Sequence, residues 1–406
     1  MNFDFNGSSF LIIVTIFIYY LAKRNPSLAT ILYVALFLRI FTILLSQIIL
    51  VLPDGVGDAG RFELRAYELS KLGISNLLLN YPGFNSFFIS WFIAIFYSLF
   101  GHSELMAKAL SLFFGMNSIY LGCVVSKKIW GPNISNKVGW TLAIFPTLIL
   151  YSCIILREAY IYFFLLVALN GIVDWVRFKN FKSFIKLFLG FVLAAHFHGA
   201  MIIGLITFLL VIFYQSLRKL FISTIKLKIS LKSFSYFIIL LILSLIVYTK
   251  EFRVPKIGSL TNFDEKIDLI LTQIKNVDKG TAKYPRLAVP ENKSELYYKI
   301  PIRIIYFIGA PYPWDINKPG HFIGFLDGIL YLALTFLIIR NRKVILSDPN
   351  LRIILLILIS YLIVYSIGVG NFGTGIRHRS KFVFMFVLLA ASLLPKITLY
   401  KSSKYK

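Results

Sequence analysis

The chain has 406 residues, 58% of them hydrophobic and 17% aromatic, and a formal net charge of +25. So apolar a composition excludes an ordinary soluble domain, and the unbroken apolar runs exclude a transmembrane β-barrel, whose strands alternate. The basic excess stands largely in short segments beside apolar runs, as the orientation rule for membrane helices requires, so it does not argue for nucleic acid as a partner.

About twenty apolar residues cross a bilayer as a helix. Candidate spans in chain order are 8–22, 28–52, 84–100, 105–126, 138–154, 157–173, 184–200, 200–214, 233–249, 321–339, 351–369 and 379–396. The expected fold class is therefore an all-α polytopic membrane protein, a single integral membrane domain over 1–406 with about 11–13 transmembrane helices. The first run lacks a basic leader and a small-residue cleavage site, and reads as a retained span. Cys123 and Cys153 stand in apolar surroundings with no metal-ligand spacing and no disulfide framework.

Basic clusters fix the orientation. Lys23-Arg24, Lys127-Lys128, Arg177 to Lys186, Arg218 to Lys232, Arg340 to Lys343 and the tail from Lys396 are placed in the cytoplasm. The opposite side then receives the first outer loop (53–84), the turn near Arg157, His196-Phe197-His198, a large loop (250–320) and 370–381. Pro53 outside and Lys127 inside need an odd number of crossings. Two apolar runs lie between them, so either one is interfacial or Lys127-Lys128 lies outside. Residues 60–72 read as an amphipathic surface helix with Phe62, Leu64 and Leu69 among charges. In the large loop a helix begins after Asn262, with Glu265 as capping partner and Phe263, Ile267, Ile270 and Ile274 on one face. The Pro-broken run 301–319 reads as re-entrant or interfacial, since irregular backbone at membrane depth must line a cavity or be covered by protein.

Every candidate for chemistry falls on that outer side. Asp54 and Asp58, among glycines, suit a general base or metal ligand, or else a polar turn. Arg157 and Glu158 interrupt an apolar stretch; neighbours on a helix do not face each other, so each needs its own partner. His196 and His198 diverge and suit acid–base work, substrate hydrogen bonding or plain interfacial packing. Arg377, His378, Arg379 and Lys381 form a cationic group after Gly370, Gly373 and Gly375, on the side where basic residues are depleted. That points to phosphate or pyrophosphate, which arginine grips with its planar fork. Arg303 and Trp314-Asp315 are secondary candidates, Trp314 being more simply an interfacial anchor.

Together these residues resemble bacterial envelope glycosyltransferases that use polyprenyl-linked sugars. One pattern is the GT-C superfamily, with an acidic residue in the first outer loop (Asp54 or Asp58), a Gly101-x-x-Glu-x-x-x-Lys-x-Leu-Ser run, and a second outer charged site (Arg157-Glu158). The other is the O-antigen polymerase (Wzy) family of basic, many-span inner-membrane proteins with a large periplasmic loop and essential periplasmic arginines. The absence of a C-terminal soluble domain favours a polymerase; the acidic first loop keeps GT-C in view. The resemblance implies an inner-membrane protein whose active site faces the periplasm, joining repeat units carried on undecaprenyl pyrophosphate. Asp58, Asp54, Glu158 or His198 would then be catalytic, and Arg157, Arg377, His378, Arg379, Arg303 and His196 would bind the pyrophosphate or the sugar. It further implies the bilayer, a lipid-linked glycan donor and acceptor and a chain-length regulator as partners. No cofactor is expected, with a divalent metal left open. A lipid-linked-sugar flippase is the alternative of another class; no internal repeat is visible, and the charges cluster on one face.

Overall fold

The computed structural model describes residues 4–48, 51–225, 263–276 and 282–397. All regular elements among them are helical, and Lys283 pairs with Asn371 as an isolated bridge. In chain order the helices are α1 (Phe5–Arg24), α2 (Pro26–Ile48), α3 (Gly57–Ser70), α4 (Gly73–Leu79), α5 (Phe88–Phe100), α6 (Glu104–Trp130), α7 (Pro132–Ile144), α8 (Pro146–Tyr151), α9 (Glu158–Phe178), α10 (Phe181–Phe197) and α11 (Ile202–Ile225). They continue as α12 (Phe263–Asn276), α13 (Lys293–Tyr298), α14 (Ile300–Gly309), α15 (Pro319–Arg340), α16 (Arg342–Ser347), α17 (Pro349–Gly368), α18 (Phe372–Ser380) and α19 (Val383–Ala390). Among the described residues seven helical segments, those of α1, α2, α6, α9, α11, α15 and α17, are long and apolar enough to cross a membrane. The chain has the architecture of a multi-pass membrane protein.

Several expected spans take another form. Residues 84–100 hold only the thirteen residues of α5, about 20 Å of helix against about 30 Å of hydrocarbon. α5 lies against α3 and α4: Ser90 Oγ donates to Phe62 O and Trp91 Nε1 to Leu77 O, each at 2.8 Å. That leaves α6 as the one long apolar helix between 53 and 127. Residues 138–154 break between α7 and α8 because Pro146 drives Phe145 out of helical geometry (ψ 120°). Residues 379–396 split where Lys381 turns inward between α18 and α19. α10 stops at Phe197, and His198 is extended before the short turn that opens α11. The run 233–249 lies outside the described residues.

Polar caps and small residues explain the local folding. Ser103 Oγ accepts from Met106 N at 2.9 Å to start α6, and Asn371 Oδ1 accepts from Thr374 N at 2.7 Å to start α18. The surface helix α3 buries Ala59, Phe62 and Ala66 and leaves Leu64 exposed. α12 buries Ile267, Leu271 and Ile274, with Leu296 of α13 in the same cluster for the first two, while Ile270 is half-buried. The side chains of Phe263 and Glu265 lie outside the described set. The segment 301–319 begins in α14, ten residues long and too short to span. α9 and α10 pack backbone to backbone: a Cβ at Gly171 would sit 2.4 Å from Leu187 N, and one at Gly190 2.5 Å from Ala168 N.

The two ends of the bundle differ. At one end the C-terminal turns of α6 and α9 meet the start of α10, where Lys128 and Lys186 both reach Asp174. Trp130 Nε1 and Lys137 Nζ donate there to the carbonyls of Leu388 and Leu394. The other end gathers the loop before α3, the start of α9 and α18.

Candidate functional site

A cleft of about 600 Å³ opens at that second end. Its charged and polar lining comes from Asp54, Asp58, Arg157, Thr374, Arg377 and His378, and Val51, Leu52 and Val56 form an apolar wall. Segments three hundred residues apart in sequence therefore meet here, and the bonds that join them are ionic.

Arg377 is the hub. Its Nε donates to Glu158 Oε1 at 2.9 Å, and its Nη1 donates to Asp58 Oδ2 at 2.5 Å. Glu158 is fully buried at the first turn of α9, with Lys381 Nζ 3.4 Å from the same oxygen. A buried carboxylate needs such partners, because desolvation without them costs several kcal/mol. Asp58, by contrast, keeps 44% of its side chain exposed. The third guanidinium nitrogen, Nη2, is buried and has no hydrogen-bond partner among the described residues. Arg157 is in the same state: its Nη1 donates to Phe197 O at 3.4 Å, its guanidinium lies 5.1 Å from the Phe62 ring centroid, and its Nε is buried without a partner. Two guanidiniums thus each retain an unclaimed donor beside one cleft.

The two aspartates are tuned in opposite senses. Burial pushes the Asp58 carboxyl upward, but the Arg377 hydrogen bond and charge outweigh it and hold the group below its ordinary range. Burial dominates at Asp54 and raises it, against the hydrogen bond that Tyr151 donates to Oδ2 at 2.9 Å and the charge of Arg377. Asp54 also sits at φ 59°, a left-handed conformation uncommon for a residue with a side chain, in a turn closed by Gly55 N donating to Leu52 O at 3.0 Å. Arg377 is held above its ordinary value, burial being overcome by Glu158 and Asp58.

The histidines divide as their spacing predicts. His198 Nδ1 lies 2.9 Å from Tyr365 Oη, and its ring meets that of His378 edge-on at 5.4 Å. Lys381 Nζ donates to His378 Nδ1 at 2.5 Å, so this lysine links His378 to Glu158. His196 stays out of the ionic cluster, its Nδ1 bonded to Val192 O at 2.8 Å and its ring 4.0 Å from that of Phe84. It lines a smaller cavity of about 240 Å³ with Asn85 and His198, and Arg157 forms a wall of both cavities.

Two arginines with the same expected role lie elsewhere. Arg379 pairs with buried Asp327 through Nε (2.9 Å) and Nη2 (2.7 Å) and donates to the carbonyls of Ile308, Ala310 and Gly324. Arg303 gives all its nitrogens to the carbonyls of Ala288, Ser366, Ile367 and Val369. Both are struts that tie α14 and α18 into the bundle. Asp327, Tyr151 and Tyr365 were not singled out from sequence. Asp327 had a readable signal, a lone carboxylate within an apolar run; the two tyrosines had none in a chain with 23 of them.

Chemically the cleft offers donors for an anionic oxygen, one carboxylate raised toward basicity and another held ionised. Among the described residues no group of three or more His, Cys, Asp or Glu side chains is placed to hold a metal ion. No protein-family model matches the chain, and neither a curated protein nor a solved structure matches it.

Proposed function

We propose that the chain is a membrane glycosyltransferase that joins polysaccharide repeat units carried on undecaprenyl pyrophosphate, in the bacterial inner membrane with the cleft facing the periplasm. The observation that carries the reading is the pair of buried, unclaimed guanidinium donors of Arg377 and Arg157 beside Asp54 and Asp58. A soluble nucleotide-sugar enzyme needs a soluble domain to hold its donor; a lipid-borne donor instead brings its sugar to the mouth of a bundle such as this one.

In the reaction, the acceptor sugar's hydroxyl oxygen attacks the anomeric carbon of the donor sugar. The bond from that carbon to the phosphate oxygen breaks, and its electron pair leaves with the polyprenyl pyrophosphate. Arg377 Nη2 and Arg157 Nε stabilise the charge that develops there, the kind of preorganised electrostatic aid that dominates such steps. Glu158 keeps Arg377 aimed, and Asp54 takes the hydroxyl proton, a role suited to a carboxylate with a raised pKa. Asp58 holds Arg377 in the absence of substrate.

A second reading is a GT-C transferase adding one sugar from a polyprenyl monophosphate. It is favoured by the surface helix α3 in the first outer loop with Asp58 in its first turn. Both are tested on the purified chain in detergent with a lipid-linked repeat unit, alone and together with a polyprenyl-monophosphate-linked sugar. A ladder of products supports the polymerase, a single added sugar supports the second reading, and recovery of unreacted substrate defeats both and leaves a flippase. Arg377→Ala should slow transfer about a hundredfold or more, the usual effect of removing one such stabilising group.

A further inference from the structure

The opposite end of the bundle carries a larger open cavity, about 660 Å³, between the C-terminal turn of α9, the start of α10 and Asn350 at the start of α17. Four cations line it, Lys128, Arg177, Lys182 and Lys186, with a single carboxylate, Asp174. That carboxylate is already taken: it accepts from Lys128 at 2.5 Å and from Lys186 at 3.1 Å, and Lys128 also donates to Asn170 Oδ1 at 2.6 Å. The lining as a whole is strongly cationic, with Arg177 and Lys182 exposed at its mouth. Asn350 Oδ1, buried and without a hydrogen-bond partner, also lines the space and is an acceptor for a ligand hydroxyl.

Beside the mouth runs an apolar ledge. Phe178 and Phe181 are 57% and 73% exposed, and Ile185, Phe188 and Leu189 continue the exposed stripe down α10 at helical spacing. A soluble anion has no use for such a ledge. A phospholipid has a phosphate for the cations and acyl chains for the stripe, and basic pockets between membrane helices are where anionic headgroups bind.

We propose that this cavity binds one anionic phospholipid, its phosphate between Arg177 and Lys182 and its chains along Phe181 to Leu189. The site is independent of the cleft at the other end. It does not rest on the transferase reading.

The test measures binding of lipids to the purified chain in detergent by native mass spectrometry. Phosphatidylglycerol is compared with phosphatidylethanolamine of the same acyl chains and with inorganic phosphate. The variants are Arg177→Gln/Lys182→Gln and, as a control with the same charge change, Arg342→Gln/Lys343→Gln, both exposed near the same end. We expect phosphatidylglycerol to bind preferentially, and the first double variant to weaken it roughly thirtyfold, since each basic residue near a lipid surface contributes about fivefold. The control should leave it nearly unchanged. Equal weakening by both variants would reduce the effect to diffuse surface charge, equal binding of the two lipids would remove the headgroup preference, and capture of phosphate alone would assign the cavity to a free anion. Each of these overturns the proposal.

Discussion

Arg377 holds the site together through three nitrogens with three fates: one given to buried Glu158, one to half-exposed Asp58 and one to nothing among the described residues. Asp58 stands where an anionic ligand oxygen would compete for Nη1. Removing its charge should therefore help such a ligand. Asp58→Asn is expected to bind inorganic pyrophosphate about fivefold more tightly by calorimetry, because a partly exposed ion pair contributes at most about 1 kcal/mol. Weaker binding in that variant would mean that Asp58 is part of the ligand site itself. The pH dependence carries the other residue-scale expectation. Asp54 has a raised carboxyl, so its contribution to stability is present below its unfolded pKa and is lost as pH rises through its folded one; Asp58, lowered, contributes above its unfolded pKa and loses that as pH falls. If Asp54 is the base, the acid limb of kcat/KM lies above about 4, the ordinary aspartate value. Tyr151→Phe removes the hydrogen bond that favours the carboxylate and should move that limb to higher pH; a limb that stays in place would take the base role from Asp54. Sequence alone brought Asp54, Asp58, Arg157, Glu158 and Arg377 into view but could not separate Arg377 from Arg379. Two residues apart on a helix they diverge, and only the facing elements decide that one meets a cleft and the other meets Asp327.

At the scale of elements, α9 matters most, because Glu158 stands in its first turn and Asp174 near its last. Its placement depends on the close backbone contact with α10 at Gly171 and Gly190. Gly190→Ala would put a methyl group against Ala168 backbone and push the helices apart; overpacking of this sort costs about 1–3 kcal/mol. A thermal-unfolding midpoint several degrees lower in detergent is the expected result, and an unchanged midpoint would show that the contact relaxes freely. The long apolar runs were legible as helices because hydrophobic continuity is a local property. Their interruptions were less so. Pro146 signals its own break, whereas the end of α18 at Ser380 depends on Lys381 turning in to Glu158, a contact made with a residue more than two hundred positions away. The seat of α5 on α3 and α4 is likewise not encoded in its apolar sequence.

For the molecule as a whole, the charged groups separate into two ends, with Asp54, Asp58, Arg157, Glu158 and Arg377 at one and Lys128, Arg177, Lys182 and Lys186 at the other. That Lys128, Arg177, Lys182 and Lys186 lie near span ends was readable from sequence, because the bias acts on composition there. Only the fold shows that Asp54, Asp58, Arg157 and Arg377 share one cleft while Arg303, Arg379 and His196 lie outside it. Cysteine labelling in intact cells tests the arrangement most directly. Both native cysteines are buried, so the background is low. Thr374→Cys, exposed at the cleft, should react with a membrane-impermeant maleimide added outside, and Lys182→Cys should react only once the membrane is opened. Labelling of both from the same side, or of residue 374 only from within, would contradict a cleft that faces away from the basic end.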